Sequence, residues 1–338
     1  MLQATLARLL DGHSLTRVEA REVMGAIMDG EATPAQIGAV LIALRVKGES
    51  ADEIAGFEEA MREHVIAVHA RRDDLVDTAG TGGDGARTVN ISTAAALVAA
   101  AAEAGVAKHG NRAVSSACGS ADVLEALGFR LELPPERIAR SIDEFGFGFM
   151  FAPLHHPAMR NAASIRRELG TRTVFNVLGP LTNPAGARAQ VLGVYSPDLV
   201  HTLAQVLAQL GARRAFVVHG AGGLDELSPS GPNLVCEVVD GTVRERQIDP
   251  AAFGIRRCAP GDLGGGSPDE NAAAIRRVLE GGDGPVRDAV LLNAAGAIAA
   301  AGHAADLREG LGHAREAIDS GRAAERLSAL AAFTQAAE

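Results

Sequence analysis

Apolar positions in the first part of the chain recur at helical spacing. Val18, Val23 and Ile27 form one set, Ile37, Val40, Leu41 and Leu44 a second, and Ile54, Phe57 and Met61 a third. A hydrophobic residue every three or four positions makes one apolar stripe along a helix. Each set follows a hydroxyl residue that has Glu or Gln three positions on: Thr16 with Glu19, Thr33 with Gln36, Ser50 with Glu53. In such a pair each side chain satisfies an amide of the other, which fixes a helix start. Pro34 after Thr33 suits the first helical position. The pattern predicts a small helical bundle ending near His69.

The period changes at Arg71. Residues 75–79 are a short, mostly apolar run entering a glycine cluster. Ser92 opens an alanine-rich helix predicted to end near Gly105. Residues 106–109, 190–195, 214–219 and 234–239 read as strands, and helices are predicted after Pro134, Pro157, Pro197 and Pro268. The tail from Ala304 has an amphipathic helical pattern. Strands alternating with helices predict an α/β domain around a central mixed, largely parallel sheet. The expected organisation is a helical domain over residues 1–71, to which later segments return, and an α/β domain over residues 72–338.

Composition narrows the classes. The chain has 338 residues, 47% of them hydrophobic, enough for a sizeable core in two domains. A formal net charge of -10 argues against a broad nucleic-acid surface, and with no Trp and one Tyr the chain is poor in base-stacking side chains. The three cysteines, Cys118, Cys236 and Cys258, show no CxxC spacing, which fits a reducing, cytoplasmic setting. No signal-peptide pattern is evident. The most membrane-like stretch, residues 91–107, contains Glu103 and Gly105, and residues 294–301 are too short to span a bilayer. No membrane association is expected.

Four clusters carry chemistry. Gly80-Thr81-Gly82-Gly83-Asp84 follows a strand, and consecutive small residues let backbone amides converge on an anion. A tight strand–helix turn would use the same glycines. The run lacks the Gly-Lys-Ser/Thr ending of a Walker loop and the GxGxxG spacing of a dinucleotide site. Asn90, Ser92 and Thr93 gather at the next helix start, which favours phosphate. The second cluster, residues 108–116, packs Lys108, His109, Asn111 and Arg112 around Gly110. Lys108 can neutralise a phosphate and Arg112 can grip one, although a polar surface turn has the same composition. Ser120 is expected to cap the helix that follows, with Cys118 a packing residue. The third, residues 151–184, holds His155, His156, Arg160, Arg166 and Arg167, and its 172–184 part reads as a rigid loop. Two adjacent histidines without a third nearby ligand are a weak metal signal. In the fourth, residues 219–226, the neighbouring carboxylates Asp225 and Glu226 suit an oxygen-preferring cation, and equally suit an exposed acidic turn. Magnesium would let an acidic protein hold a polyphosphate.

Together, in this order and spacing, the four clusters resemble the anthranilate phosphoribosyltransferase family over almost the whole chain, including residues 31–39 of the first domain. The resemblance implies a cytoplasmic homodimer that transfers the phosphoribosyl group of phosphoribosyl pyrophosphate (PRPP) to the amine of anthranilate, the second step of tryptophan biosynthesis from chorismate. It implies that Gly80, Thr81, Gly82, Gly83, Asp84, Thr88, Asn90, Ser92, Thr93, Lys108 and Ser120 surround PRPP. It implies an anthranilate side of Gly80, His109, Asn111, His156, Arg166, Gly179 and Pro180, and Mg2+ held at Ser92, Asp225 and Glu226. His155 stands where many relatives carry an aromatic residue. Pyrimidine nucleoside phosphorylases share a similar Lys-His-Gly-Asn-Arg segment; Asp84, the Asp225–Glu226 pair and Arg166 favour the anthranilate reading. A non-catalytic nucleic-acid binder on the same scaffold is disfavoured by the negative charge.

Overall fold

The computed structural model describes residues 2–113 and 117–336. The last three residues of the 108–116 cluster lie outside them.

The chain opens with α1 (Leu2–Leu10), α2 (Arg17–Met28), α3 (Pro34–Lys47) and α4 (Ala51–Glu63). Reciprocal capping boxes close on Thr16 with Glu19, Thr33 with Gln36 and Ser50 with Glu53, the three pairs expected from the sequence. Most of the apolar stripes face inward, but Val18 is 67% exposed.

The second part runs β1 (Leu75–Asp77), α5 (Ile91–Ala101), β2 (Gly105–Gly110), α6 (Ser120–Ala126), α7 (Pro135–Phe145), β3 (Phe147–Phe151), α8 (Ala152–His155), α9 (Arg160–Leu169) and α10 (Phe175–Leu181). It continues with β4 (Ala189–Gly193), α11 (Asp198–Gln209), β5 (Arg214–His219), β6 (Asn233–Val239) and β7 (Thr242–Ile248). It ends with α12 (Pro268–Leu279), α13 (Pro285–Ala301), α14 (Leu307–Asp319) and α15 (Arg322–Gln335). The strands form one seven-stranded sheet in the order β3-β2-β1-β4-β5-β6-β7. The pairs from β3 to β5 are parallel, and β6 and β7 extend the sheet antiparallel. The sheet is therefore mixed and largely parallel.

Alternation along the strands splits the interior into two main cores. Val191, Phe216 and Val218 face the side covered by α5 and α12 to α15. Leu192, Ala215 and Val217 face α11 and, beyond it, the opening helices. Ala162 and Ile165 of α9, and Phe175, Leu178 and Leu181 of α10, join that second core. The later segment 160–181 thus completes the helical bundle.

Three departures from the sequence reading have physical causes. Phe147, Phe149 and Phe151 form β3 because their rings fill one side of the sheet. Strand β7 lies at the sheet edge and is largely exposed, so its charged sequence shows no alternation. Residues 172–184 are not all loop, since α10 buries Phe175, Leu178 and Leu181 on one face and carries Pro180 in its last turn. The Pro180 carbonyl accepts from Gln190 Nε2 at 2.7 Å.

Candidate active site

The chain runs from β1 to β2 and β3 on one side and then crosses back to β4 on the other side of β1, so the strand order reverses between β1 and β4. In open α/β sheets a crevice forms at the carboxyl ends of strands around such a reversal. The glycine run 80–84 leaves β1 there. Gly82 and Gly83 have φ of 65° and 78°, a backbone region that glycine enters without strain. Thr81 N–H donates to the Gly193 carbonyl at 2.8 Å, and Thr81 Oγ1 accepts from Tyr195 N–H at 3.1 Å. A Cβ on Gly80 would lie 2.6 Å from Asp225 Oδ2, so that carboxylate approaches because the position has no side chain.

A cavity of about 1080 Å3 opens over this loop. Six basic side chains (Arg87, Lys108, Arg112, Arg166, Arg167 and Arg172) and three acidic ones (Asp84, Asp225 and Glu226) line it. The local balance is positive although the chain is not. All of the residues expected around PRPP line it: Gly80, Thr81, Gly82, Gly83, Asp84, Thr88, Asn90, Ser92, Thr93, Lys108 and Ser120. Lys108 is 2% exposed, and its Nζ donates to the Thr78 carbonyl at 3.2 Å and to Thr78 Oγ1 at 3.0 Å. Burial pulls its pKa down, opposed by Asp77, Glu226 and Asp225. Thr93 Oγ1 is buried without a partner among the described residues.

The acidic side is built by two approaches. Asp225 Oδ2 accepts from Gly82 N–H at 2.7 Å, and Glu226 Oε1 accepts from Ser92 N–H at 2.8 Å. Burial, with Asp84 next in weight, pushes the Asp225 carboxyl up to about 7. Burial and Asp225 raise Glu226 well above the ordinary range. Glu226 Oε2 is buried without a partner among the described residues. Crowded carboxylates with an unsatisfied oxygen fit a divalent cation. Asp84, Asp225 and Glu226 do not draw together within 4.8 Å as a single-ion cage, whereas His201, Cys236 and Glu245 do, away from the cavity. Magnesium favours the open arrangement, because it keeps waters and binds one or two carboxylates plus substrate phosphates.

On the other side, His109, Asn111, Arg166, Gly179 and Pro180 line the cavity and His156 does not. His156 sits behind His109, with the two Nε2 atoms 3.2 Å apart. His109 Nδ1 lies 3.1 Å from the Gly179 carbonyl, to which it donates. His109 Nε2 therefore accepts, and His156 Nε2 donates to it. Burial pushes His109 down to about 3 and His156 to about 4, so both imidazoles are neutral at pH 7. The Arg166 guanidinium lies 5.0 Å from the centre of the Phe175 ring. Desolvation lowers its pKa and none of the described carboxylates offsets this.

Two expectations need correction. Ser120 is the first helical residue of α6; the preceding cap is Gly119, whose N–H donates to Asp122 Oδ2 at 2.9 Å. Asp122 wins because its carboxylate also accepts from Ala113 N–H at 2.9 Å. Arg112 is already engaged by Asp122, at 3.1 Å, and by Glu125. Three residues around the cavity were given no role from the sequence. Asp77 is buried and accepts from Thr78 N–H, His109 N–H and Asn183 Nδ2 at 2.7, 3.2 and 2.7 Å, tying β1 to β2. An Asp inside an apolar strand run was its signal. Arg172 lies 4.0 Å from the Tyr195 ring centre and donates to the Gly83 carbonyl. Asn271 comes from α12, far from every motif.

Residues 3–65 match the profile described as glycosyl transferase family, helical bundle domain, and residues 72–324 match glycosyl transferase family, a/b domain. Anthranilate phosphoribosyltransferase from Moorella thermoacetica is 53% identical over 335 residues, 99% of each chain. The chain belongs to the anthranilate phosphoribosyltransferase family. The crystal structure of anthranilate phosphoribosyltransferase from Thermus thermophilus superposes with a TM-score of 0.93 at 50% identity, covering 98% of this chain and 99% of that one. Anthranilate phosphoribosyltransferase from Saccharomyces cerevisiae, solved in complex with PRPP and Mg, has a TM-score of 0.90 at 29% identity, covering 98% and 97%.

Proposed function

We infer that the chain transfers the phosphoribosyl group of PRPP to the amine of anthranilate, giving N-(5-phosphoribosyl)anthranilate and pyrophosphate in tryptophan biosynthesis. One observation carries this reading at the level of the site. The glycine loop, Lys108, the acidic pair and Arg166 all open onto one cavity, which offers an anion cradle and a carboxylate receptor together.

The glycine loop, Asn90, Ser92, Thr93 and Lys108 hold PRPP. As the bond from ribose C1 to pyrophosphate breaks, positive charge develops on the ribose and negative charge on the leaving group. Lys108, fixed by Thr78, and the loop amides other than those of Thr81 and Gly82 meet that negative charge. Ser92, Asp225 and Glu226 would hold Mg2+, which when bound would neutralise pyrophosphate charge. Arg166 orients anthranilate through its carboxylate, and His109, Asn111, Gly179 and Pro180 shape the pocket around the ring. His156 acts through His109, donating to its Nε2 and holding the ring whose tautomer the Gly179 carbonyl sets. The anthranilate amine is neutral at pH 7 and attacks C1 as the bond to pyrophosphate breaks, its surplus proton passing to the departing pyrophosphate or to water, so orientation matters more than a strong base. Mixing PRPP, Mg2+ and anthranilate and following the loss of anthranilate fluorescence tests the reaction. No loss with the folded protein refutes it, and phosphate-dependent cleavage of a pyrimidine nucleoside in its place identifies the phosphorylase reading.

The protein acts as a homodimer joined through the opening helices. Three of the six exposed large hydrophobics among the described residues, Leu10, Val18 and Val46, lie on α1, α2 and α3, at 71%, 67% and 83% exposed, and a partner covering them would remove that surface from water. Light scattering should give twice the chain mass, and Val46→Asp should shift it toward one. No helix among the described residues is long and apolar enough to cross a membrane.

A further inference from the structure

Asn271 is the fourth residue of α12 and is 1% exposed. An amide buried that deeply is held by hydrogen bonds or destabilises the fold. Its Oδ1 accepts from Gly266 N–H at 2.8 Å, and its Nδ2 donates to Asn90 Oδ1 at 2.9 Å. Asn90 Nδ2 in turn donates to the Cys118 carbonyl at 3.1 Å. These bonds fix the orientation of both amides, because a flipped Asn90 would turn its oxygen onto the Cys118 carbonyl. They also join three segments that are distant in sequence. Gly266, Asn271, Asn90 and Cys118 all line the cavity.

The backbone supports the same contact. Thr88 forms an antiparallel bridge with Gly264, Val89 N–H donates to the Leu263 carbonyl at 3.0 Å, and Gly265 N–H donates to the Arg87 carbonyl at 2.8 Å. A Cβ on Gly265 would lie 2.6 Å from the Thr88 carbonyl oxygen and 2.7 Å from Asn271 Oδ1. The segment before α12 therefore lies flush against the turn that carries Asn90. Asparagine is a poor helix-interior residue, and leucine or alanine would serve a purely packing role better.

We propose that Asn271 is a positioning residue for the phosphoribosyl donor, acting through Asn90. Its amide holds the Asn90 side chain in the one orientation that presents its remaining hydrogen-bonding capacity to the cavity. The proposal rests on the reading of Asn90 as a donor contact and adds a residue from the last third of the chain.

The test is steady-state kinetics in both substrates for wild type, Asn271→Ala, Asn271→Asp, Asn90→Ala and the double variant Asn271→Ala with Asn90→Ala, with melting temperatures alongside. Asn271→Ala should raise the PRPP KM roughly tenfold, the effect of one buried hydrogen bond, while the anthranilate KM stays near wild type. Asn271→Asp keeps the shape and the acceptor for Gly266 but turns an oxygen onto Asn90 Oδ1, and should be impaired at least as much. The double variant should be no worse than Asn90→Ala. A normal PRPP KM in Asn271→Asp would overturn the proposal, leaving Asn271 as an anchor for Gly266. So would additive losses in the double variant, or equal rises in both KM values with a lowered melting temperature. If Asn90→Ala leaves the PRPP KM unchanged, Asn90 is not a donor contact and the proposal falls with it. Wild type without turnover would instead refute the assigned reaction.

Discussion

Arg166 is the cation most exposed to a test of substrate identity. It lies against the Phe175 ring, and none of the described carboxylates pairs with it. A planar guanidinium suits the anthranilate carboxylate, and losing one charge-assisted bond in a partly dry site costs about 1.5–3 kcal/mol. Arg166→Ala should therefore weaken the anthranilate dependence roughly ten- to a hundredfold and alter PRPP dependence much less, with the melting temperature nearly unchanged. A stable variant with normal anthranilate kinetics would remove Arg166 from the site. Asp225 and Glu226 give a test of opposite sign. Each uses one oxygen to accept a backbone N–H, and an amide oxygen can do the same. Asp225→Asn with Glu226→Gln removes the crowding of charge, so the metal-free protein should melt at the same or a higher temperature. The same variant should lose the rise in melting temperature on adding Mg2+ and most of its PRPP turnover. Retention of an undiminished Mg2+ shift would contradict the assignment.

At the scale of elements, the α2–α4 contact shows two effects of one substitution opposing each other. Glycine inside a helix costs about 0.5–1 kcal/mol relative to alanine. A Cβ on Gly25 in α2 would meet nothing within 4 Å beyond its own turns of helix, so Gly25→Ala should stabilise by about that amount. Gly56 in α4 would place a Cβ 2.2 Å from the Arg17 carbonyl oxygen of α2. A backbone atom in a packed helix cannot step aside cheaply, and overpacking costs about 1–3 kcal/mol. Gly56→Ala should therefore destabilise despite its better propensity, and paired thermal melts of the two variants will show the reversal. The helix starts were legible in sequence because Thr16, Thr33 and Ser50 act over three residues. Strand β3 and helix α10 were not, since Phe147 and Phe175 are explained by the distant surfaces they fill. The cavity was largely legible because its glycines and charges lie in short motifs. Asp77, Arg172 and Asn271 escaped because each acts through contacts to residues distant in sequence.

For the molecule as a whole, the buried histidines set a response to acid. An unfolded histidine titrates near 6.5, while His109 and His156 are held at about 3 and about 4. Below pH 6.5 the unfolded chain takes up protons that the folded chain refuses, so this contribution is present above 6.5 and is lost as pH falls toward 4. Asp77, held by burial at about 6, works against it: its folded form keeps a proton that the unfolded chain releases above the ordinary aspartate range. The histidine part is isolated by comparison. Melting temperature against pH between 6.5 and 4 should fall less steeply for His109→Gln with His156→Gln than for wild type, and parallel curves would refute the assignment. The joining of α9 and α10 to the opening helices has a consequence during synthesis. The ribosome releases α1 to α4 while residues 160–181 are still unmade, so the sides of α2, α3 and α4 that later pack against α9 and α10 wait uncovered. The amino-terminal segment therefore passes through a sticky stage on every round of translation, and a chain truncated before Leu181 would remain in it.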